Sequence, residues 1–155
     1  MRVRLVALGH RMPGWVAEGF ADYAKRLPRD FALDLIELRP EPRDRGKPVD
    51  QTLAAEATRL RAACEGFRVV ALDERGKAWT TRELAGRLAR WRDEATDIAF
   101  VIGSADGLDA SFKRAASDLV SLSSFTLPHG LARVMLAEQL YRAVSLMSGH
   151  PYHRE

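Results

Sequence analysis

Ser121-Leu122-Ser123-Ser124-Phe125-Thr126-Leu127-Pro128-His129 separates a short apolar run from the longest amphipathic helix pattern in the chain. Small hydroxyl residues alternate with large apolar ones, and Pro128 ends the run. The segment does not continue a strand, because proline lacks the N–H that a ladder needs. It reads as a buried connection whose main-chain amides are left free for a ligand, since buried amides without a partner are costly. The plainer alternative is an ordinary strand-to-helix connection closed by a Ser/Thr cap.

Outward from that stretch, strands alternate with helices. Leu119 to Ser121 is a strand leading into it, and Leu131 to Met147 is the helix leading out. Upstream, Asp109 can cap a short helix that runs to Ala116, after a turn at Gly103-Ser104-Ala105-Asp106-Gly107-Leu108. Asp97 to Ile102 is a buried strand. Thr80-Thr81-Arg82-Glu83 is a capping box that starts a helix with Leu84, Leu88 and Trp91 on one face. Phe67 to Leu72 is a central strand ended by a turn at Asp73-Glu74-Arg75-Gly76-Lys77. Before it, a helix capped by Asp50 carries Leu53, Ala57, Leu60 and Cys64 as an apolar stripe. Arg39 to Pro48, with three prolines, a glycine and many charges, reads as a mobile loop. Phe31 to Leu38 and Val3 to Gly9 are strands. Pro13-Gly14-Trp15 opens a helix that buries Val16, Phe20 and Tyr23 and stops at Pro28.

Strands and helices alternating at this pitch predict an α/β domain with a mostly parallel sheet and helices on both faces. Ligands of such sheets bind at the carboxyl ends of the strands. Three strand ends carry unusual turns: after Leu72, at Gly103, and at Leu122 to Leu127. A small-molecule site is predicted where those three meet.

The 155 residues have the size of one domain spanning 1–155, and 46% hydrophobic content suffices for one core. A single cysteine, Cys64, excludes an intrachain disulfide and a multi-cysteine zinc site. No run approaches the roughly 20 apolar residues of a membrane span. The charged start Met1 to Leu8 does not read as a signal peptide, so a cytoplasmic location is expected. Net charge is +3, from 24 basic and 21 acidic residues. A protein gripping naked duplex through its phosphates usually carries a stronger basic stripe. A nucleic-acid partner would therefore be recognised by shape, or inside a larger assembly.

Several chemistries lack their signatures. The spacing Gly103-x-x-x-Gly107 is neither a dinucleotide fingerprint nor a phosphate-binding loop, and no nucleophile elbow surrounds Ser104 or Ser123. His150-x-x-His153 has the spacing of a metal pair, but Pro151 disfavours a helix there and no third ligand is evident, so no metal is expected. The tail is unusual for a terminus. Tyr152-His153-Arg154-Glu155 offers a ring that can stack on a base, an imidazole that can move a proton and a guanidinium that can bind phosphate. Glu138 and Arg142 stand at i, i+4 on the last helix, where an ordinary ion pair is the plain reading.

Taken together, Leu122-Ser123-Ser124-Phe125-Thr126-Leu127-Pro128-His129, Ile102-Gly103-x-x-x-Gly107, Glu138-Gln139-Leu140-Tyr141-Arg142-Ala143 and the terminal His150-Pro151-Tyr152-His153-Arg154-Glu155 resemble the bacterial 23S rRNA pseudouridine methyltransferases. These are small members of the SPOUT superfamily of S-adenosylmethionine enzymes. The likeness extends over the whole chain, including Met12-Pro13-x-Trp15. It implies a trefoil knot in the C-terminal half, an exception to the unknotted rule, and a homodimer with the cofactor site near the subunit interface. It implies methylation at N3 of a pseudouridine in 23S rRNA on the assembled 70S ribosome. Carried over by position, S-adenosylmethionine contacts fall at Leu72, Gly103, Leu122, Ser123, Ser124, Phe125, Thr126 and Leu127. His153 becomes the proton acceptor, Arg154 and Arg142 hold substrate phosphate or a base oxygen, Tyr152 stacks, and His129 supports the loop. The family usually carries Gly-Gly-Pro/Ala-Glu-Gly in the glycine loop. Ser104 and Asp106 depart from it, so a narrowed backbone approach and a shortened carboxylate are expected there.

Two other functions fit the same residues. One is a non-catalytic ribosome-binding dimer that kept the fold, for which the altered glycine loop speaks. The other is a related methyltransferase acting on tRNA, against which the terminal Tyr152 to Glu155 speaks.

Overall fold

The structure, a computed structural model, describes residues 1 to 152. Five strands, β1 (Val3–Leu8), β2 (Leu33–Leu38), β3 (Arg68–Ala78), β4 (Ile98–Ile102) and β5 (Asp118–Ser121), form one sheet in the order β2-β1-β4-β3-β5. Every neighbouring pair is parallel. Helices α1 (Gly14–Ala24), α2 (Val49–Ala63), α3 (Thr81–Asp93), α4 (Ala110–Ala115) and α5 (His129–Ser148) connect or follow the strands.

A fully covered sheet must be apolar on both faces, and its strands are. In β1, Val3, Leu5 and Ala7 point to one core while Val6 and Leu8 point to the other. In β4, Ile98, Phe100 and Ile102 join the first core, and Ala99 and Val101 the second. The first core is closed by Phe20 of α1, Leu84, Leu88 and Trp91 of α3, and Leu136, Leu140, Ala143 and Val144 of α5. The second is closed by Ala57 and Leu60 of α2, Cys64, and Phe112 of α4. The thiol of Cys64 is thus a core filler, as its spacing predicts. Among the described residues no helix is long and apolar enough to cross a membrane.

Register places the site. Ala7 and Leu72 both pair with Ile102, so the carboxyl ends of β1 and β4 lie level with the point where β3 leaves its ladder. The capping box is formed as predicted: Thr80 Oγ1 accepts from the Glu83 N–H at 3.1 Å, and Glu83 Oε2 accepts from the Thr80 N–H at 2.7 Å. Asp109 likewise caps α4 through the Phe112 N–H at 2.8 Å.

Four local expectations are corrected. Asp50 is not the cap of α2; Pro48 stands there, and Asp50 sits in the first turn, where proline at the boundary has no N–H to satisfy. Phe31 closes a short 3-10 turn, Arg29–Phe31, and its strand begins at Leu33. Asp73 to Lys77 does not end β3. Leu72 and Lys77 both pair with Val120, so the chain leaves the ladder, arches over that residue and pairs again through Ala78. Gly76 makes the arch possible, because a Cβ there would stand 2.5 Å from the Val120 nitrogen. The run Arg39 to Pro48 has no regular structure but is tied to α2. Arg59 donates to the Arg39 carbonyl and, at 2.9 Å, to Glu41 Oε2.

Candidate functional site

At the carboxyl end of the sheet lies a cavity of about 1010 Å³. Leu8, Gly9 and Met12 come from the β1 end, Leu72 to Arg75 from the β3 arch, Ile102 to Leu108 from the glycine loop, and Ser121 to Ser123 with Phe125 to His129 from the segment leading into α5. The three turns singled out from pattern therefore converge. Of the eight residues assigned to the cofactor, Leu72, Gly103, Leu122, Ser123, Phe125, Thr126 and Leu127 line this cavity, and Ser124 does not.

The connecting segment is not buried, contrary to expectation. Phe125 is 82% exposed, and Ser124 and Thr126 are exposed as well. Its main chain is the rim of an open cavity rather than an interior loop. Ser123 ties it locally: its Oγ accepts from the Phe125 N–H at 2.9 Å, and its carbonyl accepts from Ser121 Oγ at 2.7 Å. The N–H groups of Ser124, Thr126 and Leu127 have no partner among the described residues. A rim of unpaired main-chain donors beside Leu72, Ile102, Leu122 and Leu127 suits a ligand with a flat apolar face and polar edges. The cavity also exceeds the lower range of small-ligand sites, which begins at about 300 Å³. The residues present fit a nucleoside-bearing cofactor.

Gly103 closes the floor. A Cβ there would stand 2.5 Å from the Gly107 carbonyl oxygen, so the close approach is to its own loop. Gly107 has φ +82°, which only glycine adopts without strain. The Gly103 carbonyl accepts from His129 Nδ1 at 3.0 Å. His129 Nε2 in turn accepts from Arg133 Nε at 2.9 Å. Arg133, only 2% exposed, also donates to the Gly9 carbonyl at 3.0 Å and to Glu37 Oε2 at 2.8 Å. One guanidinium thus joins the ends of β1 and β2 to α5 and, through His129, to the glycine loop. Burial first, then the Arg133 charge, lowers the His129 pKa below its usual value. Sequence reading missed Arg133. The available signal was its i, i+4 spacing from His129.

A second network braces the loop's other side. Ser104 Oγ donates to Glu56 Oε1 at 2.9 Å and accepts from Arg43 Nη2 at 2.7 Å, and Arg43 Nε donates to Asp106 Oδ2 at 2.8 Å. The two departures in the glycine loop are both engaged. Neither Arg43 nor Glu56 was anticipated: Arg43 sits in a charged, proline-rich run that reads as solvated, and Glu56 is a lone carboxylate among the alanines of α2.

The tail residues are elsewhere. Arg142 Nε donates to Glu138 Oε1 at 2.8 Å, and the Tyr152 hydroxyl donates to the same oxygen at 3.1 Å. The Tyr152 ring centroid lies 4.5 Å from that of Tyr141, and the Arg142 guanidinium carbon lies 5.0 Å from it. The Tyr152 and Tyr141 rings are tilted by 56° rather than stacked. Burial, the Tyr23 hydroxyl and the Glu138 carboxylate push the Tyr152 phenol up to about 12. His129 and Arg142 stand at opposite ends of α5, about 20 Å apart at a rise of 1.5 Å per residue. Arg142 and Tyr152 are therefore not brought to the cavity of their own chain. His153 and Arg154 lie outside the described residues. His150 Nδ1 accepts from the Tyr152 N–H at 3.2 Å. Among the described residues, no three of His, Cys, Asp or Glu gather to hold a metal.

A family model described as predicted SPOUT methyltransferase matches residues 1–153. Two proteins called ribosomal RNA large subunit methyltransferase H are similar over 99% of both chains: that of Nitrosospira multiformis at 53% identity and that of Paraburkholderia xenovorans at 51%. Among solved structures, a probable methyltransferase from Bordetella pertussis Tohama I aligns with a TM-score of 0.62 at 20% identity, covering 92% of this chain and 94% of that one. A probable methylase family protein from Haemophilus influenzae Rd KW20 aligns with a TM-score of 0.62 at 15% identity, covering 99% and 70%. Those two structural likenesses speak for the fold.

Proposed function

The chain belongs to the SPOUT methyltransferases, and from that premise we propose that it carries a methyl group from S-adenosylmethionine to N3 of a pseudouridine in 23S rRNA, on the assembled 70S ribosome. The observation that carries the reading is the convergence of Leu72, Gly103 and the Leu122 to Leu127 segment on one cavity at the strand ends. When bound, S-adenosylmethionine supplies a methyl already activated by its sulfonium. Leu72, Ile102, Leu122 and Leu127, which line the cavity, would pack against the cofactor's apolar part. The free main-chain donors of Thr126 and Leu127 would hold its polar groups. Gly103, with no side chain and a carbonyl fixed by His129, sets the floor.

The protein's remaining tasks are to align N3 and remove its proton. His153 accepts that proton, directly or through a water. Arg154 and Arg142 hold substrate phosphate or a base oxygen, with Arg142 oriented by Glu138, and Tyr152 completes the wall of that second cluster. The separation of the two clusters along α5 supports a homodimer in which the tail of one subunit completes the cavity of the other. The arch of β3 over Val120, followed by a return of the chain across the strand ends, supports the trefoil threading. The net charge of +3 fits an enzyme that borrows complementarity from ribosomal walls in the cytoplasm.

The test is transfer of labelled methyl from S-adenosylmethionine to 70S ribosomes, 50S subunits, naked 23S rRNA and tRNA, with mass mapping of the product. Label at a pseudouridine of 70S particles, with little on naked RNA, is the expected result. Tight ribosome binding without transfer would leave a non-catalytic dimer, and label on tRNA would move the substrate.

A further inference from the structure

Glu56 is a carboxylate on α2 with 1% of its surface exposed, beside Ala57 and Leu60 of the second core. A buried charge persists only where its lone pairs are taken. Ser104 Oγ takes Oε1 at 2.9 Å, while the Glu41 N–H at 2.9 Å and Arg43 Nη1 at 3.1 Å take Oε2. Arg43 completes the joint. Its Nη1 also donates to the Glu41 carbonyl at 2.7 Å, its Nη2 to Ser104 Oγ at 2.7 Å and its Nε to Asp106 Oδ2 at 2.8 Å. All three guanidinium nitrogens are used, on three separate segments of the chain.

Two of those segments are walls of the cavity. Pro40 lines it from the run after β2, and Ser104 to Gly107 line it from the glycine loop. Neither Arg43 nor Glu56 lines it. Resting on the cofactor reading above, the geometry points to Arg43 and Glu56 as positioning residues that clamp the Pro40 wall to the Ser104 to Gly107 turn and so fix the width of the cofactor cavity. Glu56 is anchored in the core, Arg43 reaches from an irregular segment, and Ser104 and Asp106 are the side chains on which it closes. The composition of this glycine loop is therefore matched to the clamp. A second glycine at 104 would leave Glu56 Oε1 and Arg43 Nη2 without their shared partner.

A purely stabilising network would respond in unfolding alone, whereas a clamp responds in ligand affinity as well. The Arg43 side chain is 36% exposed and its segment contributes nothing to either core, so Arg43→Met should still fold, with a lowered urea midpoint because Glu56 loses its counter-charge and keeps only Ser104 and the Glu41 N–H. The probe is S-adenosylhomocysteine, titrated by calorimetry into the dimeric full-length protein, with urea unfolding alongside. Arg43→Met is expected to weaken binding by about tenfold, the loss of one charge-assisted hydrogen bond's worth of alignment. KM for S-adenosylmethionine should rise in parallel, with kcat and KM for ribosomes within about twofold of wild type. Arg43→Lys should fall between, because an ammonium reaches Glu56 but cannot fork to Ser104 and Asp106. Ser104→Ala should weaken binding and also lower the urea midpoint, because Glu56 Oε1 loses its partner. Unchanged affinity in Arg43→Met overturns the proposal. If that variant does not fold, unchanged affinity in both Arg43→Lys and Ser104→Ala overturns it. Wild-type protein that gives no binding heat overturns the cofactor reading itself, and this inference with it.

Discussion

Arg133 Nε stands 2.9 Å from His129 Nε2, and a guanidinium can only donate, so the imidazole accepts there. The remaining proton must then be on Nδ1, which faces the Gly103 carbonyl at 3.0 Å. The tautomer is set by two neighbours rather than by solvent. A second proton on the ring would confront Arg133 and break the chain of donors that fixes the floor of the cavity.

Stability should accordingly depend on pH through His129. Its pKa is lowered in the fold, by burial first and then by Arg133, with Glu37 and the Gly103 carbonyl pulling the other way. Between the folded value and about 6.5, the unfolded chain binds the extra proton and the folded chain does not. Stability is therefore complete above about 6.5 and declines as pH falls below it. The lowered carboxyls of Asp97 and Asp109 act in a separate window, below about 4. Urea midpoints from pH 5 to 8 should slope in wild type and flatten in His129→Gln, and ring nitrogen shifts should report Nδ1–H. An equal slope in both proteins would remove the assignment.

Removing the guanidinium should cost more than removing an exposed ion pair. Arg133→Met strands the Gly9 carbonyl and His129 Nε2 in a site where Arg133 itself is 2% exposed, while Glu37 at 40% can turn to water. A loss of about 2–4 kcal/mol in urea unfolding is expected. Arg133→Lys should recover part of it, since one ammonium cannot serve three directions.

What the sequence conveyed, and what it withheld, follows from the range of each interaction. The capping box at Thr80 and Glu83 and the apolar stripe through Leu84, Leu88 and Trp91 are local, so they were legible. The ends of β4 and β5 were also legible, because a glycine or proline punctuates each of them. The arch of β3 was not. Asp73-Glu74-Arg75-Gly76-Lys77 has the composition of a turn, and only its pairing with Val120, more than forty residues on, keeps it in the sheet. Arg43 and Glu56 were hidden for the same reason: each looks solvated until Ser104 and Asp106, distant in sequence, are brought between them.

The arch yields a paired test with glycines. At Gly76 a Cβ would meet the backbone of Leu119 and Val120 at 2.5 to 2.6 Å, and backbone cannot swing aside. Gly76→Ala should destabilise by about 3 kcal/mol or prevent folding. Gly86 stands inside α3 with nothing within 4 Å of its added Cβ. Gly86→Ala should instead stabilise by about 0.5–1 kcal/mol, because it removes backbone freedom from the unfolded chain. Thermal midpoints moving in opposite directions would establish that the arch, not glycine content, is at issue.

A mixed dimer tests how the two ends of α5 are used. Gly103→Ala disturbs the cavity, where its Cβ would stand 2.5 Å from the Gly107 oxygen. Arg142→Ala disturbs the cluster with Glu138 and Tyr152, at the far end of the helix. If the protein is the homodimer proposed above, each variant homodimer should lose most of its methyl transfer, Gly103→Ala through cofactor binding and Arg142→Ala with cofactor binding retained. If the tail of one subunit completes the cavity of the other, a heterodimer of the two variants keeps one site in which both parts are wild type. Co-expression with two affinity tags and sequential capture should then restore close to half of the wild-type rate per dimer. A heterodimer as inactive as its parents would mean that each chain completes its own site, and the helix-long separation would have to be bridged within one subunit.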